Sequence, residues 1–257
     1  MAETNMSKRL QMVAGMVTPG MVLADIGTDH AYIPIELVLR GTVTSAIAMD
    51  VNQGPLDRAK INIAESGVSG KIDTRLSDGM QALLPGEVTS AVIAGMGGHL
   101  MHRILREGLE RGILDGMKEL ILQPQSEVFK VRIFLRDNGW KIIDEKMLKE
   151  DGKFYVMMKA VHENDVPAGM EPEALPAEEL PEKLDLQQLE DAYGPILIRR
   201  NDPVLQEYLA LRRNQLKNIL RSMEDNTAEN VQKRKVELQE ELDENRALRD
   251  FCRRRKA

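Results

Sequence analysis

The sequence has a single cysteine, Cys252, so no internal disulfide can form and a reducing, cytoplasmic setting is expected. No apolar run approaches the roughly 18–20 residues needed to span a bilayer. The opening MAETNMSKRL has neither the apolar stretch nor the small-residue cleavage site of a secretion signal. Positive charge is not in excess either, with 35 Lys and Arg against 41 Asp and Glu. Residues 1–160 hold 19 basic and 20 acidic side chains, 161–200 hold 3 and 10, and 201–257 hold 13 and 11. The net charge of −6 therefore arises in the middle segment. That balance gives no argument for a nucleic-acid partner and excludes none, because phosphate contact needs only a local basic face. Histidine is scarce too. His99 and His102 have no further His or Cys nearby, so no metal site is expected.

What is present reads as an α/β domain with an appendage, which 257 residues can accommodate. Apolar positions Leu10, Val13, Ala14 and Val17 fall at helical spacing behind a Ser7 cap. Short apolar runs ending in an acid or a turn then recur at 21–25, 44–50, 71–79, 88–95 and 118–124, each reading as a parallel strand. Helices are expected over 34–40, 55–66, 98–109 and 126–138. Residues 140–161 break the alternation and read as two strands around Asp151-Gly152, a hairpin signal. Five β-α units closed by such a hairpin imply a doubly wound, Rossmann-like sheet with one antiparallel member near its end.

This domain is assigned to residues 1–162. Residues 163–203, with six prolines and many acids, read as a linker. Beyond it, Leu205, Leu209, Arg212, Leu216, Ile219 and Met223 step by four and three. After a polar turn at 224–227 come Val231, Leu238, Leu242, Leu248 and Phe251, so 204–257 is expected to be an antiparallel coiled-coil hairpin.

Ligands of open α/β sheets bind beyond the carboxyl ends of the strands. The unusual residues cluster there: Asp25-Ile26-Gly27-Thr28-Asp29-His30, then Asp50, then Asp78-Gly79, then Gly95-Met96-Gly97-Gly98. Gly27 permits a tight turn and close approach. Asp50 lies where an acid can take two ribose hydroxyls, and Asp78 can accept from an adenine amino group beside Gly79. Acids after strands are also ordinary helix caps, but four such features in succession mark a cofactor site. Where a dinucleotide binder places Gly-x-Gly-x-x-Gly, this chain has Gly27, Asp29 and Tyr32. Asp29 would repel a pyrophosphate. An acid-rich rim suits S-adenosylmethionine, which carries an amino group and a sulfonium and no phosphate.

The segments ADIGTDHAYIP (24–34), AMDVNQGP (48–55), SDGM (77–80), IAGMGG (93–98) and LILQP (120–124) together resemble the TrmK family of bacterial tRNA (adenine-N1)-methyltransferases, which modify adenine 22. SKRLQMVA (7–14) and the C-terminal hairpin fit as well, so the resemblance covers nearly the whole chain. It implies a class I methyltransferase sheet. It also implies cofactor contacts from Asp25, Gly27, Asp29, His30, Asp50, Asp78, Gly79, Gly95, Met96, Gly97 and Gly98.

Neutral adenine N1 carries a lone pair and no proton, so its methylation needs positioning and desolvation rather than a base. Asp29, Met96, Gln123 and Pro124 are the residues expected nearest the chemistry. Gln123 is placed either to offer its amide to a base edge or to cap a strand. Gly-Met-Gly-Gly in place of Asn/Asp-Pro-Pro-aromatic disfavours an exocyclic amine as the acceptor. Lys8, Arg9, Arg103, Arg106, Arg132 and Arg136 are candidates for an RNA rim, weighed evenly against a merely solvated helix face. The tail Arg253-Arg254-Arg255-Lys256 favours a hairpin that grips tRNA over one that only scaffolds. The expected state is a monomer, with dimerisation through the hairpin as the alternative. Rival readings are a methyltransferase of another RNA or of a small molecule, or a non-catalytic coiled-coil protein on the same fold. The intact set of strand-end acids argues against the last.

Overall fold

The computed structural model describes residues 6–170, 185–225 and 228–254, and the chain divides into two compact units, residues 1–171 and 172–257. The first unit contains strands β1 Met21–Ile26, β2 Val43–Asp50, β3 Ile72–Leu76, β4 Ser90–Met96, β5 Glu119–Pro124, β6 Trp140–Glu150 and β7 Lys153–His162. Its main helices are α1 Lys8–Ala14, α2 Tyr32–Leu39, α3 Gln53–Glu65, α4 Gly98–Glu110 and α5 Val128–Asp137.

One sheet holds all seven strands in the order β3-β2-β1-β4-β5-β7-β6. Strands β1 to β5 are parallel, and β7 runs antiparallel to both β5 and β6. The order reverses between β1 and β4, which is the switch point where such sheets bind ligands. Central strands are covered on both faces, which is why they read as continuous apolar runs: Leu23 to Ile26 and all of β5 are buried.

One detail departs from the expected pattern. Strand β3 stops at Leu76, so Asp78 and Gly79 belong to a turn. Residues 77–89 then reach β4 without a helix, because Gly79 (φ 58°), Pro85 and Gly86 (φ 76°) interrupt any helical run.

The β6–β7 turn is Asp151-Gly152, with φ of 50° and 75°, the paired positive values of a tight primed hairpin turn. Because β6 runs the same way as β1 to β5, this tip lies at the carboxyl edge of the sheet. At the amino edge, buried Glu119 accepts from Thr18 N (2.9 Å), Thr18 Oγ1 (2.5 Å) and Ser90 Oγ (3.0 Å), and pairs with Lys159 Nζ (2.8 Å). That network pins the end of α1 to the sheet. The other end of α1 meets the hairpin tip, where Lys8 N donates to Glu150 Oε1 (3.0 Å).

The second unit holds α6 Leu186–Tyr193, α7 Pro195–Arg199, α8 Pro203–Ser222 and α9 Glu229–Arg254. The linker expected over 163–203 is thus helical in its second half, with Leu189, Ile196, Leu197 and Ile198 buried. Pro195 sits in the first turn of α7, a position where proline starts a helix rather than breaking one. Residues 171–184 of that segment lie outside the described residues, as do Asn226, Thr227, Arg255 and Lys256. Helices α8 and α9 run antiparallel. Leu216 packs with Leu238 and Leu242, Arg212 bridges Glu241 (2.6 and 2.8 Å), and buried Asn245 donates to Leu209 O (3.1 Å). Arg212, the polar break in the seam, is matched by an acid from the facing helix.

Candidate active site

The turn after β1 is fastened to β2 by its own backbone. Gly27 N and Thr28 N both donate to Met49 O, at 2.8 and 2.7 Å, a geometry that puts Gly27 at φ 75°. Buried Thr28 donates through Oγ1 to Asp25 Oδ2 (2.6 Å). Asp25 is only 5% exposed. Burial pushes its carboxyl up to about 6 against the pull of the Thr28 bond, with the charges of Asp29 and Asp50 adding to the rise. Asp29 is exposed and faces His30 Nε2 (3.2 Å), whose ring stacks on Tyr32 (centroids 5.2 Å). His30 and Ala31 are both left-handed (φ 61° and 57°), a strained pair for residues with a Cβ. The strain is supported from α3, where Asn62 Nδ2 donates to His30 O (2.9 Å).

The next two strand ends continue the row. Asp50 Oδ1 accepts from Asn52 N (2.7 Å), and Asp50 O accepts from Ser77 N (2.9 Å), which ties the β3 turn to β2. Arg103 on α4 grips Asp78 with both guanidinium nitrogens (2.8 and 3.2 Å) and also reaches Glu107 (3.0 Å). The guanidinium holds the Asp78 carboxyl below the usual range. A Cβ on Gly79 would press on Ile104 at 2.9 Å, so this glycine is required by the packing of α4.

Beyond β4, the pairing with β5 shifts by one residue at Gly95. Gly95 N and Arg9 Nη1 both donate to Gln123 Oε1 (3.1 and 2.7 Å), and Gln123 Nε2 donates to Pro124 O (3.2 Å). Gln123 is fully buried and Pro124 is buried opposite Met96. Of the two roles expected for Gln123, the strand-end cap is the one its contacts match: its polar atoms are spent within the protein, holding the Gly95 bulge. Met96 reaches across to β1, where a Cβ on Gly27 would overlap its Cε. Gly98 is buried against the Ser126-Glu127 backbone and donates to Ser126 O (3.0 Å), so its lack of a side chain serves packing.

Three of the expected RNA-rim arginines are reassigned. Arg132 is buried against Glu145 (3.0 Å), because α5 packs that face on β6. Arg136 stands in the last turn of α5, beside Asp137 (3.1 Å), at the opposite edge from the acids. Arg103 serves Asp78, as described. Arg106 is exposed, 3.7 Å from Glu110. Lys8 and Arg9 are carried to the carboxyl edge by α1. Missed by sequence reasoning were Thr28, Asn62 and Tyr155, over whose ring the Arg9 guanidinium lies (5.6 Å). Thr28 alone had a signal, its place inside the Asp-x-Gly-x-Asp turn.

The donor set at β1 and β2 is carboxylate and carbonyl, which suits a cationic ligand with hydroxyl and amino donors and opposes a phosphate. S-adenosylmethionine fits that description: Asp50 would take its ribose hydroxyls and Asp78 its adenine amino group. Among the described residues, no group of three or more His, Cys, Asp or Glu is arranged to hold a metal ion, and no helix is long and apolar enough to cross a membrane.

Strand order and strand-end acids together define a class I methyltransferase, and a methyltransferase-domain family model matches residues 6–158. The tRNA (adenine(22)-N(1))-methyltransferase of Bacillus subtilis is 41% identical over 160 residues, 62% of this chain and 66% of that relative's length. The crystal structure of the B. subtilis m1A22 tRNA methyltransferase TrmK superposes with a TM-score of 0.79 at 29% identity, covering 96% of this chain and 100% of that one. Sp1610 of Streptococcus pneumoniae, solved in complex with S-adenosyl-L-methionine, gives 0.78 at 33% identity, covering 95% and 99%. The chain belongs to the TrmK family of bacterial tRNA (adenine-N1)-methyltransferases.

Proposed function

We propose that this chain methylates N1 of adenine 22 in tRNA, using S-adenosylmethionine. The observation that carries the reading is the unbroken row Asp25, Asp29, Asp50 and Asp78, set beside the Gly95-Met96 turn at the switch point of a TrmK-family sheet. The cofactor supplies an electrophilic methyl group on a sulfonium. Asp50 and Asp78 bind its ribose and adenine ends, while Asp29 and buried Asp25 hold the rim negative.

The positive charge is conserved through the transfer, passing from sulfur to the adenine ring. Acids on the rim thus favour reactant and product alike, and attraction of this uniform kind adds little to the rate by itself. The rate must come from alignment of N1 with the methyl carbon and from exclusion of water. The rigid turns supply the alignment: Gly27 and Thr28 are anchored on Met49, and Gly95 on Gln123. No general base is required, because N1 has no proton to lose.

In the same reading the enzyme works in the cytoplasm as a monomer and without a metal, and the α8–α9 hairpin with its basic tail grips tRNA outside the catalytic unit. A direct test is transfer of tritiated methyl from S-adenosylmethionine to tRNA transcripts and, in parallel, to free adenosine. Incorporation into tRNA with none into the nucleoside supports the proposal; preferential labelling of the nucleoside overturns it in favour of a small-molecule enzyme.

A further inference from the structure

We infer that the α1-facing side of the β6–β7 hairpin tip, together with the first turn of α1, is the surface that docks RNA beside the site. It takes a phosphodiester backbone carrying an unpaired nucleotide. The inference rests on the tRNA reading above and adds to it the place of entry.

The carboxyl edge of the sheet is electrostatically divided. Its β1–β2 side presents Asp25, Asp29 and Asp50, which repel phosphate. Its far side ends in the hairpin tip, which β6 carries to this same edge. Cross-strand register puts Glu150 opposite Lys153 and Leu148 opposite Tyr155. Alternation places all four on one face. That face meets α1, since Lys8 N bonds Glu150 Oε1 (3.0 Å) and the Arg9 guanidinium lies over the Tyr155 ring (5.6 Å). Lys8, Arg9 and Lys153 thus border one wall against two acids, exposed Asp151 at the turn and Glu150, whose Oε1 already accepts the Lys8 backbone N–H.

Arg9 is also the link to the chemistry. Its Nη1 bonds Gln123 Oε1 (2.7 Å), the acceptor that also holds Gly95 N (3.1 Å). A cation half-buried on an aromatic ring and touching the β4 turn stands where the phosphate or base of an extruded nucleotide must pass. Of the other candidate arginines, Arg132 is buried, Arg103 grips Asp78, Arg136 lies at the other edge, and exposed Arg106 stands beside Glu110 (3.7 Å). The two-residue Asp151-Gly152 turn keeps the tip short and stiff, so the wall is preformed.

The test is equilibrium binding of a full-length tRNA transcript to the whole chain without cofactor, by fluorescence anisotropy from 50 to 200 mM salt. Lys8→Ala/Lys153→Ala removes two exposed cations from the wall. Lys71→Ala/Lys141→Ala removes two exposed cations from the amino edge and leaves the net charge equal. The wall variant is expected to bind about tenfold more weakly, with a salt slope lower by about 2, while the control stays near wild type. Affinity for S-adenosylmethionine is expected to be the same in all three proteins. Equal losses in both variants, or a salt slope unchanged in the wall variant, overturn the inference. A chain that binds tRNA through this wall yet methylates it elsewhere than adenine 22 overturns the proposed function and leaves the surface standing.

Discussion

Met96, at the end of β4, lies directly over Gly27 in the turn after β1, so that a Cβ on Gly27 would overlap its Cε. The two most distinctive turns of the sequence therefore depend on each other. Gly27→Ala forces both a left-handed alanine, costing about 1–2 kcal/mol, and displacement of the thioether. Because Met96 is flexible, the fold should survive. Calorimetry is expected to show S-adenosylmethionine affinity falling at least about tenfold, and Met96→Ala in the same chain should restore only part of it, since the backbone strain remains.

Arg103 and Asp78 are both partly exposed, so their ion pair should contribute only about 0–1 kcal/mol to stability. Its effect belongs to the site, because it orients a carboxylate expected to accept from the cofactor's adenine. Arg103→Ala should leave the melting temperature within a few degrees of wild type and weaken S-adenosylmethionine binding severalfold. Binding of tRNA should be unaffected. A variant that loses tRNA affinity and keeps cofactor affinity would return Arg103 to the RNA rim.

Asp25 makes the site sensitive to pH. Its carboxyl is raised from 3.8 to about 6 in the fold, so the native state holds a proton that the unfolded chain releases. That contribution is complete below about 3.8 and is lost as pH rises through about 6. Above that, the buried charge costs the ligand-free protein on the order of 3 kcal/mol. Asp25→Asn should raise the melting temperature at pH 7–8 and leave it nearly unchanged near pH 4. A cationic ligand favours the ionised form, so wild-type cofactor affinity should rise between pH 5 and 7, and the variant should lose that dependence.

Arg132 and Glu145 form a buried pair between α5 and β6. Removing one partner strands the other charge, at a cost of about 3–5 kcal/mol. Arg132→Ala should therefore lower the melting temperature steeply. Any soluble fraction should bind tRNA at wild-type affinity, which separates a structural arginine from an RNA contact.

Periodic features are legible in the sequence, and the pairing of charged side chains is not. The parallel strands and the Asp-Gly hairpin were legible because burial on both faces and paired positive φ leave marks in local composition. The row from Asp25 to Asp78 was legible because strand ends fall where apolar runs stop. What was not legible is which partner a charged side chain takes. Arg132, Arg103 and Arg136 look alike on a helix, yet one is buried, one serves Asp78 and one lies at the far edge. The sequence leaves Gln123 open between a base edge and a strand cap, because its partners come from α1 and from the Gly95 bulge, 114 and 28 residues away. The helices α6 and α7 were hidden by prolines and acids, though Pro195 begins a helix rather than ending one.

The most direct test of the account is to locate the transferred methyl group. A tRNA transcript with adenine at position 22, treated with the enzyme and S-adenosylmethionine, is digested and its fragments are sequenced by mass spectrometry, beside a transcript with guanine at that position. One methyl group is expected on N1 of adenine 22 in the first transcript and none in the second. Equal methylation of both transcripts, or a methyl group on the exocyclic nitrogen, would contradict it.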